Sequence, residues 1–149
     1  MLRPLPGVVI VALGAALSLA APVQAATPAL RFQSVQYDSP GKDDRTNGSI
    51  NAEWIALVNT GPAAVNLNGW RVADEVRSYT FDNVTIAGRG GVLYLHSGKG
   101  TDTATHRYWN SGSYVWNNAG DSATLRSRAG TVQDTCTWGQ QVGRTSVNC

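Results

Sequence analysis

The chain has little charge and few sulfur-containing residues. Of its 149 residues 15% are charged, and it holds two cysteines, one methionine and two histidines. Soluble domains usually carry about 25% charged residues. The small net charge of +2 and the many aromatic and β-branched residues exclude disorder through self-repulsion. Sustained heptads and repeats of fixed period are also absent, which excludes a coiled coil and a repeat protein. The length suits one domain.

Long apolar runs are absent except at the N-terminus, where Arg3 precedes an almost wholly apolar stretch over residues 8–21. These 14 positions are too few for a membrane-spanning helix, which needs about 20. The small-residue pattern Val23-Gln24-Ala25 follows, and this order is typical of a cleaved secretory signal peptide. We therefore predict a signal peptide over residues 1–25 and an exported domain over residues 26–149. A buried core helix and a membrane anchor are the alternatives.

Loss of Arg3 on cleavage would leave 11 basic residues against 10 acidic ones, a net charge of +1. A general binder of nucleic acid or of anionic membranes is much more basic. Arg126 and Arg128 share a face if they lie on one strand, but this pattern is more typical of a solvated outer surface. We expect no nucleic-acid partner and no membrane span.

Cys136 and Cys149 are the only cysteines, and an even number in an exported chain favours a disulfide. A metal or redox pair is the alternative, but there is no C-x-x-C motif and no histidine near either cysteine. We predict a structural Cys136–Cys149 bond that pins the C-terminal tail.

Short β-branched and aromatic runs, separated by Gly, Asn, Asp and Pro, recur after residue 30, and no stretch shows a capped helical period. The pattern predicts an all-β sandwich or barrel without helices. Residues 97–113 are rich in Gly, Ser and Thr and are expected to be the least structured. In the last strand Val132, Asp134, Cys136 and Trp138 share a face. The predicted strands are Leu30–Tyr37, Glu53–Asn59, Val65–Leu67, Trp70–Val72, Arg77–Phe81, Val92–His96, Tyr114–Trp116, Ser122–Arg128 and Thr131–Trp138.

Three ordered segments carry a family resemblance: Asn51–Asn59 (NAEWIALVN), Val65–Asp74 (VNLNGWRVAD) and Val115–Leu125 (VWNNAGDSATL). With shorter pieces between and around them, they make the chain resemble the lamin tail domain family from about residue 30 to 138. The resemblance implies an immunoglobulin-like β-sandwich of about nine strands. It also implies a role in binding or anchoring rather than in catalysis, without a cofactor.

An oxygen-rich loop makes Asp38, Asp43, Asp44 and Glu53 calcium candidates, because calcium takes six to eight oxygen ligands. Their spacing is not that of an EF-hand. A solvated turn capped by Asp and Asn side chains explains the same residues, so we expect no metal.

The residue types of a hydrolase site are present in His96, Asp102 and His106, with Ser97 or Ser111 as the candidate nucleophile. Neither G-x-S-x-G nor H-E-x-x-H is present, however. We expect ordinary surface residues and no catalytic residue, so the protein is predicted not to be an enzyme.

Aromatic residues are dense around residues 108–116. Trp116 is expected in the core, whereas Tyr108, Trp109 and Tyr114 are candidates for binding, because exposed rings stack on sugars or form interface hot spots. The sequence predicts a monomeric, exported, non-catalytic module that binds an unidentified protein or envelope component. A carbohydrate-binding or nucleic-acid-binding module, or a small hydrolase, is the alternative.

Overall fold

The computed structural model describes residues 28–149, so the predicted signal peptide over residues 1–25 lies outside the described residues. No helix in the described part is long and apolar enough to cross a membrane. The elements are β1 Leu30–Gln36, α1 Asn47–Asn51, β2 Trp54–Asn59, β3 Val65–Asn66, β4 Arg71–Ala73, β5 Ser78–Thr80, β6 Thr85–Ile86, β7 Gly91–His96, β8 His106–Tyr108, β9 Gly120–Arg126, β10 Val132–Gly139 and β11 Ser146–Asn148.

Two sheets make up the body of the fold. The first has five strands in the order β11-β1-β2-β7-β8, and the second has four in the order β10-β9-β4-β5. Together they hold nine strands, while β3 and β6 form a separate two-stranded ribbon. Adjacent strands are antiparallel except β7 and β8, which are parallel. This architecture confirms the predicted immunoglobulin-like β-sandwich.

Alternating side chains from both sheets fill one continuous core. The first sheet contributes buried residues of β1, β2 and β7, and the second contributes buried residues of β4, β9 and β10. Strand β2 lies between β1 and β7, as its apolar character on both faces predicted. The core members are Leu30, Phe32, Val35, Tyr37, Ile55, Leu57, Leu67, Val72, Phe81, Val84, Ile86, Leu93, Leu95, Val115, Trp116, Ala123, Leu125, Cys136 and Trp138.

A disulfide joins Cys136 of β10 to Cys149, the residue after β11, as predicted. It therefore links an edge strand of one sheet to the edge strand of the other. A carboxylate oxygen of Asp134 also accepts the backbone N–H of Phe32 at 2.8 Å. This side of the sandwich is thus held by a covalent bond and by a hydrogen bond.

Three strand predictions were wrong, one for a whole segment and two at the ends of longer strands. Residues 114–116 form no strand, although Trp116 is in the core as expected. Strand β9 ends at Arg126, so Arg128 does not share its face. The ladder shifts register between Val132 and Asp134, and this bulge leaves Val132 48% exposed instead of facing inward with Cys136.

Four elements of two to five residues were missed because they are too short to show a period. The helix α1 is one such element, held by the Thr46 hydroxyl, which accepts the N–H of Ser49 at 3.2 Å. Strands β6 and β11 are others. Strand β8 lies inside residues 97–113, where no strand was expected. Its inward residue is Arg107 rather than an apolar one, so the usual alternation is missing.

Candidate binding surface

Five rings lie together on the outward face of the five-stranded sheet. In β2 and β7 the alternate residues Ile55, Leu57, Leu93 and Leu95 are buried in the core, so their neighbours point outward. Register then places Trp54 opposite His96, Tyr94 opposite His106, and His96 opposite Tyr108. We call Trp54, Tyr94, His96, His106 and Tyr108 the outer-face ring cluster.

Neighbouring rings of the outer-face ring cluster pack against one another. Trp54 meets Tyr94 edge-on, with ring centres 5.2 Å apart. The ring centres of Tyr94 and His106 are 5.3 Å apart with planes 14° from parallel, and those of His96 and Tyr108 are 5.1 Å apart at 18°. All five residues are partly exposed. The result is a half-buried aromatic surface where the outer face of a sandwich is usually polar.

The two histidines share a hydrogen bond within this cluster. Nε2 of His96 lies 2.9 Å from Nδ1 of His106, and Nδ1 of His96 lies 2.9 Å from the backbone oxygen of Asn51. A carbonyl oxygen can only accept, so Nδ1 of His96 carries a proton. In the neutral ring Nε2 of His96 is then bare and accepts the Nδ1–H of His106. Burial lowers the pKa of His96 below 6.5, which favours this neutral form.

The segment between β7 and β8 fixes the position of β8. The N–H of Tyr108 donates to Oδ1 of Asp102 at 3.2 Å, and the N–H of His106 donates to the hydroxyl of Thr103 at 3.0 Å. Arg107 donates to the carbonyl of Thr103 and its Nε lies 3.7 Å from Oδ2 of Asp102. These contacts pair backbone N–H groups of β8 with side chains of the preceding segment. They hold the side chains of β8 beside those of β7.

Helix α1 supplies the carbonyl that orients His96. The side-chain amides of Asn47 and Asn51 both donate to the backbone oxygen of Lys99, at 2.9 and 2.8 Å. Oδ1 of Asn47 in turn accepts the N–H of Lys99 at 2.8 Å. The helix is thus attached to the segment that follows β7, and its last residue holds the imidazole.

Neither serine candidate is hydrogen-bonded to the two candidate histidines. The structure brings His96 and His106 together, but Asp102 is engaged by β8 and by Arg107. The hydroxyl of Ser97 donates to Oε1 of Glu53. The hydroxyl of Ser111 donates to the carbonyl of Ser113 at 2.7 Å.

Glu53 is wholly buried and serves the loop before β9. Its Oε1 accepts the N–H of Val115 at 2.7 Å and that of Trp116 at 3.1 Å, besides the Ser97 hydroxyl. Its Oε2 is buried without a hydrogen-bond partner among the described residues. Burial raises the pKa of Glu53 to about 7, against the opposing effect of these hydrogen bonds. Glu53 therefore acts as a structural carboxyl that holds this loop.

The other calcium candidates lie in two places. The amide of Asn118 donates to Asp38 at 3.0 Å and to Asp43 at 3.3 Å, which brings those two carboxylates together. Burial and the charge of Asp43 raise the pKa of Asp38. Asp44 instead accepts from the N–H and the hydroxyl of Thr46, and these bonds lower its pKa. Within residues 28–149 no group of three or more His, Cys, Asp or Glu side chains could hold a metal ion.

The structure separates the three aromatic binding candidates. Tyr108 belongs to the outer-face ring cluster. Trp109 packs against the core, with its ring centre 5.9 Å from that of Trp116. The hydroxyl of Tyr114 lies 2.6 Å from that of Ser49 and accepts the N–H of Arg45 at 3.3 Å.

Trp54 and Tyr94 belong to the cluster but were not identified from the sequence. Each lies at an outward position of a strand that was predicted, so the alternation could have suggested both.

The sequence model of the lamin tail domain family matches residues 23–140. The chain belongs to the lamin tail domain family. The matched range contains the whole outer-face ring cluster, whereas β11 and Cys149 lie beyond it. The family's immunoglobulin-like fold agrees with the two sheets seen here. No curated protein matches the chain.

Proposed function

We propose that this lamin tail domain is an exported, non-catalytic interaction module that binds a protein or envelope component through the outer-face ring cluster. The observation that carries the proposal is the group of five partly exposed rings on one sheet face. Tyrosine and tryptophan are the residue types that dominate binding energy at protein interfaces, because they bury large area at low entropic cost.

The burial and hydrogen bonds of the serines support a role without catalysis. A nucleophilic serine needs a base within hydrogen-bond reach and access to the substrate. Ser97 is buried against Glu53 with 1% of its surface exposed, and Ser111 donates to a carbonyl rather than to a base. The family is likewise one of immunoglobulin-like, non-catalytic domains.

Export is supported by two features. The N-terminal pattern ending at Ala25 is typical of a signal peptide, and a disulfide joins Cys136 and Cys149. Disulfides persist mainly in oxidising compartments. The proposal therefore places the partner in the medium or the cell envelope.

The test is capture of partners from the medium and envelope fractions of the producing organism with the folded domain, residues 26–149. We expect the double substitution Tyr94→Ser with Tyr108→Ser to abolish capture while its circular dichroism spectrum stays that of wild type. The matched control is Val76→Ser with Val142→Ser, which removes two exposed apolar side chains outside the cluster (88% and 104% exposed). Equal capture by wild type and the tyrosine variant would contradict the proposal.

Treatment of the fractions identifies the kind of partner. Protease treatment is expected to abolish capture of a protein partner. Loss of capture after periodate oxidation alone would instead assign the cluster to a saccharide, which the near-parallel rings of Tyr94 and His106 could also contact.

A further inference from the structure

The outer-face ring cluster contains a hydrogen-bonded chain with one free end. It runs from the Asn51 carbonyl through both nitrogens of His96 to Nδ1 of His106. The nitrogens of the two rings are 2.9 Å apart, the ring centres 5.2 Å, and the planes lie 23° from parallel. The rings therefore meet edge to edge. Nε2 of His106 ends the chain and has no hydrogen-bond partner among residues 28–149.

This chain can take one proton without losing a bond. With a proton added at Nε2 of His106, the Nδ1–H of His106 still donates to Nε2 of His96. A proton on both rings would place two N–H groups face to face at 2.9 Å, so the pair holds a single extra proton. Burial of His96 disfavours the charge there. The positive charge is consequently carried by His106, whose Nε2 becomes an additional hydrogen-bond donor.

The groups that face the pair do not neutralise this charge. Tyr94 of β7 and Tyr108 of β8 lie beside the imidazoles, and Trp54 of β2 lies against Tyr94. Helix α1, with the sequence NGSIN, has no ionisable side chain.

Carboxylates near the pair are already engaged. Asp102 accepts the N–H of Tyr108 and pairs with Arg107, and the buried Glu53 accepts the hydroxyl of Ser97 through Oε1. The five strands of this sheet contain no Asp or Glu, whereas β1 carries Arg31 and Lys99 is exposed after β7. The surface is cationic once the histidine pair takes its proton.

We propose that the outer-face ring cluster binds the carboxylate side chains of an acidic segment of its partner protein at Nε2 of His106, and that binding requires a proton on this nitrogen. This inference rests on the proposed function and names the chemistry of its partner. A charge-assisted bond from an imidazolium to a carboxylate is stronger than a neutral one. Because the donor at this nitrogen exists only when the imidazole takes a proton, the affinity of the site is expected to depend on pH.

The test uses a fluorescein-labelled hexaglutamate peptide, with hexaglutamine as the uncharged control, in anisotropy titrations at pH 5.5 and 8. Glutamate side chains are largely ionised at both values. We expect hexaglutamate to bind about five- to tenfold more tightly at pH 5.5 than at pH 8, and hexaglutamine to bind weakly at both. Binding of hexaglutamate that is equal at the two values, or absent at both, overturns the inference.

Three variants decide whether His106 is responsible. His106→Asn keeps a donor near the position of Nδ1 but cannot take a proton, so the pH dependence should disappear. His106→Lys carries a fixed charge and should bind hexaglutamate at both pH values. The matched control Arg89→Gln removes one exposed cation at the opposite end of β7 and should keep the wild-type pH dependence. A pH dependence that survives in His106→Asn overturns the inference.

Two further readouts separate the alternatives. Long-range proton–nitrogen NMR at pH 8 should show both imidazoles protonated at Nδ1, and a proton at Nε2 of His96 would overturn the proposed chain. Tighter binding of a single-stranded dodecathymidylate than of hexaglutamate would assign the face to nucleic acid. If the tyrosine variant loses its captured partner while hexaglutamate never binds, the inference fails and the proposed function stands.

Discussion

Oε1 of Glu53 accepts the backbone N–H of Val115 at 2.7 Å, across 62 positions of the chain. The same oxygen accepts the N–H of Trp116, and Arg77 donates to the carbonyls of Tyr114 and Val115 at 3.1 and 2.8 Å. A buried carboxyl and a guanidinium thus fix the backbone of a segment that has no strand of its own. This is why Val115 and Trp116 reach the core without joining a sheet.

Glu53 makes stability depend on pH. Its pKa is about 7 in the folded chain against 4.5 in the unfolded chain, so the folded state holds the proton more firmly. The stabilisation is complete below pH 4.5 and is lost as the pH rises from 4.5 to 7, a change of about 3 kcal/mol. Glu53→Gln mimics the neutral acid at every pH. The free energy of unfolding of Glu53→Gln minus that of wild type should therefore rise by about 3 kcal/mol between pH 4.5 and pH 8.

Urea unfolding at pH 4.5, 6, 7 and 8 measures this difference. His96 has a lowered pKa, so it acts in the opposite direction, but it does so in both proteins and cancels. The matched control is Glu75→Gln at an exposed position, which should leave the pH dependence of wild type intact. Parallel stability curves for wild type and Glu53→Gln would show that Glu53 does not titrate in this range.

Features that follow from the alternation of residues within one strand could be predicted from the sequence. Cys136 and Trp138 face inward because they are two positions apart in β10, and β2 is central because both of its faces are apolar. The prediction that Val132 faces inward was wrong because a bulge lies between Val132 and Asp134. A bulge inserts one extra residue into a strand, and the alternation of the sequence does not show where this occurs.

Alternation within the predicted strands could have placed Trp54 and Tyr94 on the outer face, but the assembly of the five rings could not be predicted because it depends on pairing between strands. Tyr94 and His106 become neighbours only through the parallel register of β7 and β8. The connection between these strands has no apolar pattern, and β8 turns Arg107 toward the interior. No local signal therefore indicated that a strand lies there. The prediction that His96 and His106 are ordinary surface residues missed their shared hydrogen bond for the same reason.

Removal of the disulfide should destabilise the domain and release its last strand. Cys136 and Cys149 are 13 positions apart, and closing a loop of this size stabilises by about 3 kcal/mol in the chain-entropy model. The variant with Cys136→Ser and Cys149→Ser should lose about that much free energy of unfolding in urea. Hydrogen exchange should accelerate in β11 before it accelerates in β2. Equal unfolding free energies for the variant and the oxidised wild type would contradict this expectation.

The hydrogen bond that Asp134 accepts should stabilise the junction of the two sheets, in addition to any effect of its negative charge. Its Oδ2 accepts the N–H of Phe32, a residue that is wholly buried. Asp134→Ala leaves this N–H without a partner, which costs about 1–3 kcal/mol. Asp82→Ala, at an exposed position, is the matched control and should change stability by less than about 0.5 kcal/mol. Thermal or urea unfolding of the two variants compares them, and similar losses would assign the effect to charge alone.

Processing after Ala25 is expected in a host that exports the full-length chain. Signal peptidases accept small residues at the cleavage site, and Val23-Gln24-Ala25 fits this pattern. Mass spectrometry of the exported protein should give a chain that starts at Ala26, lacks free thiols and contains one disulfide. Ala25→Phe should block cleavage, whereas Ala26→Ser should leave it unchanged. Recovery of the unprocessed wild-type chain in the cytosol with two free thiols would contradict export, because the bond between Cys136 and Cys149 needs an oxidising compartment.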